Sequence, residues 1–349
     1  MSRSEALLVH ISYPEIETLV DVARVAAVDP RIEMVITSYV ENTELRIAKR
    51  LRPDSPDLAA MSPPLDDAYR DALARAEVMF CLDAPVDLPA LAPRLRWVQA
   101  VGSGVGQFAA SRLDAGDITL TNAAGVGAPS IAEFVIGLII AAWKDFPALA
   151  QLQRERTWQA HYGRLIMGST VGIVGLGAIG AAVAQRIKPF GVEVLAIRRS
   201  FAAGMTAPNV DELFGPESLH QMLARCDTVV LAAAGTPETE DLIGAAEIAA
   251  MKPGSAFVNV ARGTMVDEAA LIAALESGHL RAAAIDVARD EPLPRDNPLW
   301  AAPNLIISPH SSPSQDRYFA MVFDLFVENL GRYIARQPLR NVIDLSKGY

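Results

Sequence analysis

The chain has 349 residues, more than one domain usually holds, so two domains and a large buried core are expected. Its 51% hydrophobic and 21% charged content excludes extensive disorder, and a net charge of −10 argues against nucleic acid or an anionic membrane as a bulk partner. Any anion site must therefore be local.

The first part reads as a small α/β domain. Short strand candidates at Leu7 to Ile11, Val78 to Cys81, Trp97 to Ala100 and Ile118 to Thr121 are separated by polar or proline-rich connections such as Arg52 to Pro64. Only Cys81 and Cys226 occur, both in apolar settings and neither in a CxxC spacing, which points away from a disulfide framework and toward a reducing compartment. Glu5 and His10 flank the short run Ala6 to Val9, which does not read as a signal peptide. The longest apolar run, Phe134 to Trp143, falls short of the ~20 residues a bilayer span needs and reads as a buried helix, with Glu133 and Lys144 at the ends that suit its dipole. The expectation is a soluble, cytoplasmic protein.

Beyond Asn122 the pattern is denser. Predicted strands at Val171 to Val174, Glu193 to Ile197, Thr228 to Leu231, Ala256 to Val260, Ala283 to Val287 and Leu305 to Ser308 alternate with helical segments, which implies a doubly wound parallel sheet. The first of them runs into Gly175-Leu176-Gly177-Ala178-Ile179-Gly180 and then a helix from Ala181 to Phe190. This reads as a dinucleotide-binding turn: Gly175 permits the tight turn, Gly177 a close approach to pyrophosphate, Gly180 close helix packing, and the helix start supplies free N–H groups.

The end of the next strand bears on the choice of dinucleotide. An NAD site would place an acid there for the ribose 2′-hydroxyl, whereas this chain has Arg198-Arg199-Ser200, a set that suits a 2′-phosphate and so points to NADP(H). Further along, Asp267 is a fitting N-cap for an apolar face of Ala270, Leu271, Ala274 and Leu275, with Gly278 placed for the C-terminal turn. The last predicted helix, Ser314 to Arg336, carries Phe319, Val322, Phe323, Phe326, Val327 and Leu330 at helical spacing.

Ligands of open α/β sheets bind at the C-terminal strand ends, and there the chain offers Arg262, Asp286, Glu291 and His310. A histidine exchanges protons near neutral pH, a carboxylate such as Glu291 (with Asp290 a competitor) stabilises and orients its imidazolium, and Arg262 can pair with a substrate carboxylate while polarising a neighbouring carbonyl.

From Trp97 onward these motifs, together with Thr236-Pro237-Glu238-Thr239, Met251-Lys252-Pro253-Gly254, Asn259-Val260-Ala261-Arg262-Gly263, Asp286-Val287, Glu291-Pro292 and Pro309-His310, follow one family order. The chain resembles the D-isomer-specific 2-hydroxyacid dehydrogenases, among them glyoxylate/hydroxypyruvate reductases and phosphoglycerate dehydrogenases. The resemblance implies two Rossmann-like α/β domains with a cleft between them: a substrate domain of residues 1–122 plus 309–349, and a dinucleotide-binding domain of 123–308. It implies that Arg262 binds and polarises a 2-oxo acid, Glu291 assists, and His310 is the acid/base. The loop Val101-Gly102-Ser103-Gly104 would hold the substrate carboxylate on its N–H groups. Ala233, Ala234, Thr239, Val260, Ala261 and Asp286 would lie by the cofactor, with NADP preferred and NAD possible.

The family usually carries Asp where this chain has Gly106. The resemblance further implies a homodimer buried through a helix from about Ser130 to Trp143, and cleft closure that excludes water. Trp158 and His161 are expected in core or interface packing. Reduction of a small 2-oxo acid (glyoxylate, hydroxypyruvate or similar) to the D-2-hydroxy acid is the leading expectation. A catalytically silent nucleotide-sensing scaffold or corepressor, and formate or phosphite oxidation, stand as alternatives.

Overall fold

The computed structural model describes residues 6–314 and 316–345. Glu5, one flank of the run read above, lies outside them. Two compact units result: the first runs to Val126 and resumes after residue 315, and the second is Gly127–Ser314.

The first unit holds β1 (Leu7–Ser12), β2 (Ile32–Thr37), β3 (Val78–Cys81), β4 (Trp97–Ala100) and β5 (Thr119–Thr121), all parallel, in the order β2-β1-β3-β4-β5. β2 is absent from the predicted strands. It is an edge strand of partly buried residues with an exposed Glu33, so it lacks the apolar continuity that marks β1 and β3. Register aligns Ser12 with Cys81 and Cys81 with Ala100, so Tyr13, Leu82 and Val101 leave the sheet side by side at one end. The chain returns to this unit with the helix Tyr318–Ile334, whose Val322, Phe323, Phe326 and Leu330 are buried. Phe326 lies 4.9 Å from Phe80 and 5.5 Å from Trp97, ring centre to ring centre, so the periodic aromatics of the last helix close one face of the sheet.

The second unit holds β6 (Thr170–Val174), β7 (Glu193–Ile197), β8 (Glu212–Phe214), β9 (Thr228–Leu231), β10 (Ser255–Asn259), β11 (Leu280–Ile285) and β12 (Leu305–Ile307). All pairs are parallel and the order is β12-β11-β10-β9-β6-β7-β8. β8, a three-residue edge strand, is again the one not predicted. The chain winds outward from β6 in both directions, so the switch point lies between β6 and β9, where connections leaving in opposite directions open a crevice beyond the strand ends.

The helix Ala128–Lys144 packs Val135 and Ile139 into the cluster that holds Val183, Ala184 and Ile187 of the helix Ala178–Ile187, so its apolar run is core. The Asp267 carboxylate accepts from Ala270 N at 3.1 Å and Gly278 is left-handed at φ 72°, as the punctuation predicts. Among the described residues no single helix is long and apolar enough to cross a membrane.

The unit boundaries fall later than the sequence places them. Asn341 Nδ2 donates to the carbonyls of Asn122 and Ala124, holding that segment to the first unit, and Asp286 at the end of β11 binds residues 308–312 into the second.

Candidate active site

Beyond β6 a groove of about 580 Å³ opens at the switch point, lined among others by Gly175, Gly177, Arg198, Arg199, Ser200, Ala233, Ala234 and Thr239. The glycines divide the labour as their spacing suggests. Gly175 sits at φ 102°, where a Cβ would stand 2.4 Å from the Ala233 Cα, and at Gly180 a Cβ would meet the Gly175 carbonyl oxygen at 2.2 Å. At Gly177 nothing lies within 4 Å, which leaves its backbone open to a phosphate at the start of the Ala178–Ile187 helix. These residues fit a dinucleotide: a bare backbone cradle at one end, and two guanidiniums with a hydroxyl at the other.

Arg198 Nε donates to Ser200 Oγ at 2.9 Å. Across the groove the Glu238 carboxyl is held below its usual range, chiefly by the Thr236 hydroxyl and in lesser part by Arg199. Thr239 Oγ1 accepts from Thr236 N at 2.8 Å and donates to the Ala234 carbonyl at 3.0 Å, so it shapes the groove wall. Ala178, Ile179, Gly180, Val260, Ala261 and Asp286 are not among the lining residues, whereas Pro216, Leu219, Thr236, Glu238 and Leu242 are. The last five were missed because they come from connections after β8 and β9, whose path depends on packing.

Downstream strand ends bring the polar set together. His310 Nδ1 lies 2.9 Å from Glu291 Oε2, and Glu291 Oε1 accepts from Ala288 N at 3.1 Å, so the carboxylate is fixed by its own loop. Both side chains are about half exposed. His310 is left-handed at φ 51°, a conformation that costs a non-glycine residue about 1–2 kcal/mol. Its N–H donates to Asp286 O at 2.8 Å and to Ser308 O at 3.1 Å, which holds it there.

Asp286 is buried, and its carboxylate accepts from the Ser308 hydroxyl and from Ser311 N (2.9 Å) and Ser312 N (3.2 Å). Its oxygens are thus engaged in clamping the segment that carries His310. Asp290 has no bond to the imidazole, so Glu291 is the histidine's partner among the two acids.

Arg262 is exposed, with Nη1 donating to the Ala261 carbonyl at 2.6 Å and its stem against Gly235, where a Cβ would stand 2.8 Å from Cγ. Two residues not singled out individually position this turn. Buried Asn259 donates to Arg262 O at 3.1 Å and accepts from Ala261 N at 2.9 Å. Gly263 is pressed so closely on Ala288 that a Cβ would fall 1.9 Å from its carbonyl carbon, which sets the Arg262 turn against the loop leading to Glu291.

Val101, Gly102, Ser103 and Gly104 belong to the first unit, just beyond β4. The Val101 carbonyl accepts from Tyr318 Oη at 3.0 Å and the Ser103 carbonyl from Asn122 Nδ2 at 2.6 Å, while a Cβ at Gly104 would meet nothing within 4 Å. The missing side chain at Gly106 has a local reason: a Cβ would stand 3.0 Å from Arg50 Cδ, so the loop rests on the arginine stem. Trp158 is fully exposed within the chain and does not enter a core, and His161 Nε2 lies 2.7 Å from Asp145 Oδ2. Among the described residues no group of three or more His, Cys, Asp or Glu is arranged to hold a metal ion.

A doubly wound unit with an open glycine turn defines a dinucleotide-binding protein of the α/β class, and comparison with known proteins specifies a nicotinamide dinucleotide. Residues 136–312 match the model of the D-isomer specific 2-hydroxyacid dehydrogenase NAD-binding domain. The chain is 36% identical over 273 residues to D-3-phosphoglycerate dehydrogenase of Mycobacterium bovis, covering 76% of this chain and 51% of that one. It is 34% identical over 269 residues to glyoxylate/hydroxypyruvate reductase B of Escherichia fergusonii, covering 74% and 82%. A solved D-isomer specific 2-hydroxyacid dehydrogenase from Xanthobacter autotrophicus, in complex with NADPH and MES, superposes with a TM-score of 0.75 at 30% identity over 99% of this chain and 100% of that one. The chain belongs to the D-isomer specific 2-hydroxyacid dehydrogenase family. It spans about half the length of the mycobacterial phosphoglycerate dehydrogenases it matches.

Proposed function

We propose that this protein reduces a small 2-oxo acid, such as glyoxylate or hydroxypyruvate, to the D-2-hydroxy acid, with NADPH preferred over NADH. The observation that carries the reading is the His310–Glu291 pair at 2.9 Å, on strand ends of the dinucleotide-binding unit. When bound, the reduced nicotinamide supplies a hydride to the carbonyl carbon. With Nδ1 held by Glu291, His310 offers Nε2 to the carbonyl oxygen as proton donor, and Glu291 stabilises the imidazolium before transfer. Arg262 draws the substrate's carbonyl oxygen and carboxylate into a planar guanidinium, favouring the charge that develops on oxygen. The N–H groups of Gly102, Ser103 and Gly104 take the carboxylate; Val101, expected among them, has its own N–H bonded to the Cys81 carbonyl at 2.9 Å and only carries the loop.

NADPH preference is supported by Arg198, Arg199 and Ser200 at the end of β7, and by the NADPH bound in the Xanthobacter relative. Glu238 opposes it only in part, since Arg199 already acts on it. A steady-state panel of 2-oxo acids with both cofactors tests the reading. The expected result is a kcat/KM at least tenfold higher with NADPH. A higher value with NADH removes the cofactor assignment, and retained NADPH binding without turnover of any acid removes the reaction.

The reading includes a homodimer. Phe146, Leu149, Trp158, Tyr162, Leu165 and Met167 form a run of exposed apolar residues between the first helix of the second unit and β6, and a second copy of the chain is the occupant that would cover them. Sedimentation equilibrium should give twice the chain mass, and Trp158→Asp should shift it toward monomer. A wild-type monomer at micromolar concentration rules the dimer out.

A further inference from the structure

One charged cluster of the first unit has no part in the roles assigned above. The helix Thr43–Leu51 sends two cations to the loop after β3. Lys49, fully buried, donates to Glu41 Oε1 at 2.7 Å and to the Ala84 carbonyl at 2.6 Å. Arg46 donates from Nε and Nη2 to the two oxygens of Asp83 at 2.8 and 2.6 Å, and Asp83 also accepts from Glu41 N at 3.0 Å. Asp83 is fully buried, yet the Arg46 side chain remains 32% exposed, and among the described residues its Nη1 has no hydrogen-bond partner. Buried ion pairs are no better at holding a helix than apolar packing of the same volume. What this one adds is a guanidinium held in a single orientation with one edge free.

The Arg46–Asp83 pair stands at the C-terminal end of the sheet. By register, Tyr13, Leu82 and Val101 leave β1, β3 and β4 together, and Asp83 follows Leu82 as Gly102 follows Val101. Gln107 Nε2, just beyond the carboxylate loop, donates to the Leu82 carbonyl at 3.2 Å, tying the two loops. Burial raises the pKa of the Tyr13 hydroxyl, with Arg46 lowering and Asp83 raising it in lesser part, so both charges lie within electrostatic range of Tyr13. A short acid held by its carboxylate on Gly102 to Gly104 would have its remaining carbons at this same end of the sheet.

We propose that Arg46 is a specificity-determining residue whose free guanidinium edge donates to an uncharged oxygen on carbon 3 of the substrate, selecting 3-hydroxy-2-oxo acids. Asp83 neutralises the cation, so the edge suits a hydroxyl better than a second full anion, which would also face the Asp83 carboxylate. This rests on the reductase reading above.

Hydroxypyruvate and pyruvate differ only in that hydroxyl, so the ratio of their kcat/KM values with NADPH reads the interaction directly. In the wild type the ratio should favour hydroxypyruvate at least tenfold over pyruvate, and over its 3-phosphate. Arg46→Met should lower the ratio at least fivefold, mainly through KM for hydroxypyruvate. Arg46→Lys keeps the charge against Asp83, guards against misfolding and should also lower it, since a lysine paired there has no second edge. An unchanged ratio in folded Arg46→Lys and Arg46→Met, or a wild-type preference for the 3-phosphate, overturns the assignment. Turnover of neither acid by the wild type overturns the reductase reading and this inference with it, whereas turnover of both without discrimination overturns only the role of Arg46.

Discussion

Replacing His310 with asparagine is expected to lower kcat/KM for 2-oxo acid reduction by about 10²–10⁴-fold, the range a positioned general acid contributes, while NADPH still binds. The expectation follows from how much of the fold is committed to this side chain. Its backbone is held left-handed by two hydrogen bonds, its segment is clamped by buried Asp286, and its Nδ1 faces Glu291. Asparagine suits the left-handed backbone, so the loss would be chemical and not conformational. Stopped-flow single turnovers, with NADPH titrated separately by fluorescence, distinguish the two. A single-turnover rate within threefold of wild type would remove His310 from the chemistry.

The second large effect is expected at a residue that touches no substrate. Gly263→Ala places a methyl 1.9 Å from the Ala288 carbonyl carbon, where only backbone can give way. Overpacking of this kind costs about 1–3 kcal/mol. A shift of about 1 Å in the Arg262 turn relative to the Glu291 loop would cost roughly 10²-fold in rate. The variant should therefore melt several degrees lower and lose turnover well beyond its loss of folded protein, with NADPH affinity nearly unchanged because the groove lies at other strand ends. Wild-type kcat/KM in folded Gly263→Ala would show that the contact does not set the geometry.

Both predictions concern residues whose importance was unequally visible. Arg262, Glu291 and His310 could be singled out because each follows an apolar run that must be a strand, and a polar residue at such an end faces the ligand side. Gly175, Gly177 and Gly180 were legible for a similar reason: their spacing has meaning only where a strand turns into a helix, and strand and helix are both written in the local pattern. β2 and β8 were not legible, since an edge strand buries less and leaves no continuous apolar signature.

Asp286 illustrates a different limit. Its place at a strand end is a property of the sequence, but which groups its carboxylate would meet depends on where the Ser308 to Ser312 segment comes to rest. Asn259 and Gly263 stood inside a motif without a role, because their work is done on backbone atoms of their own turn and of a distant loop. Arg46 and Asp83 carry no mutual signal at all: the helix after β2 and the loop after β3 meet through the pairing of β1 with both strands.

Local residue pattern was enough for the α/β class, the dinucleotide turn, the arginine-rich strand end beside it and the identity of the polar residues that follow later strands. These depend on periodicity and short-range spacing, which local covalent and steric preferences already constrain. The tertiary structure alone decided that Glu291, and not Asp290, pairs with His310, that Asp286 clamps the histidine's segment, that Gly263 locks the Arg262 turn, and that Arg46 is held by Asp83. Each of these is a contact between elements distant in sequence, and its geometry exists only once the sheets have assembled and the loops at their ends have packed against one another.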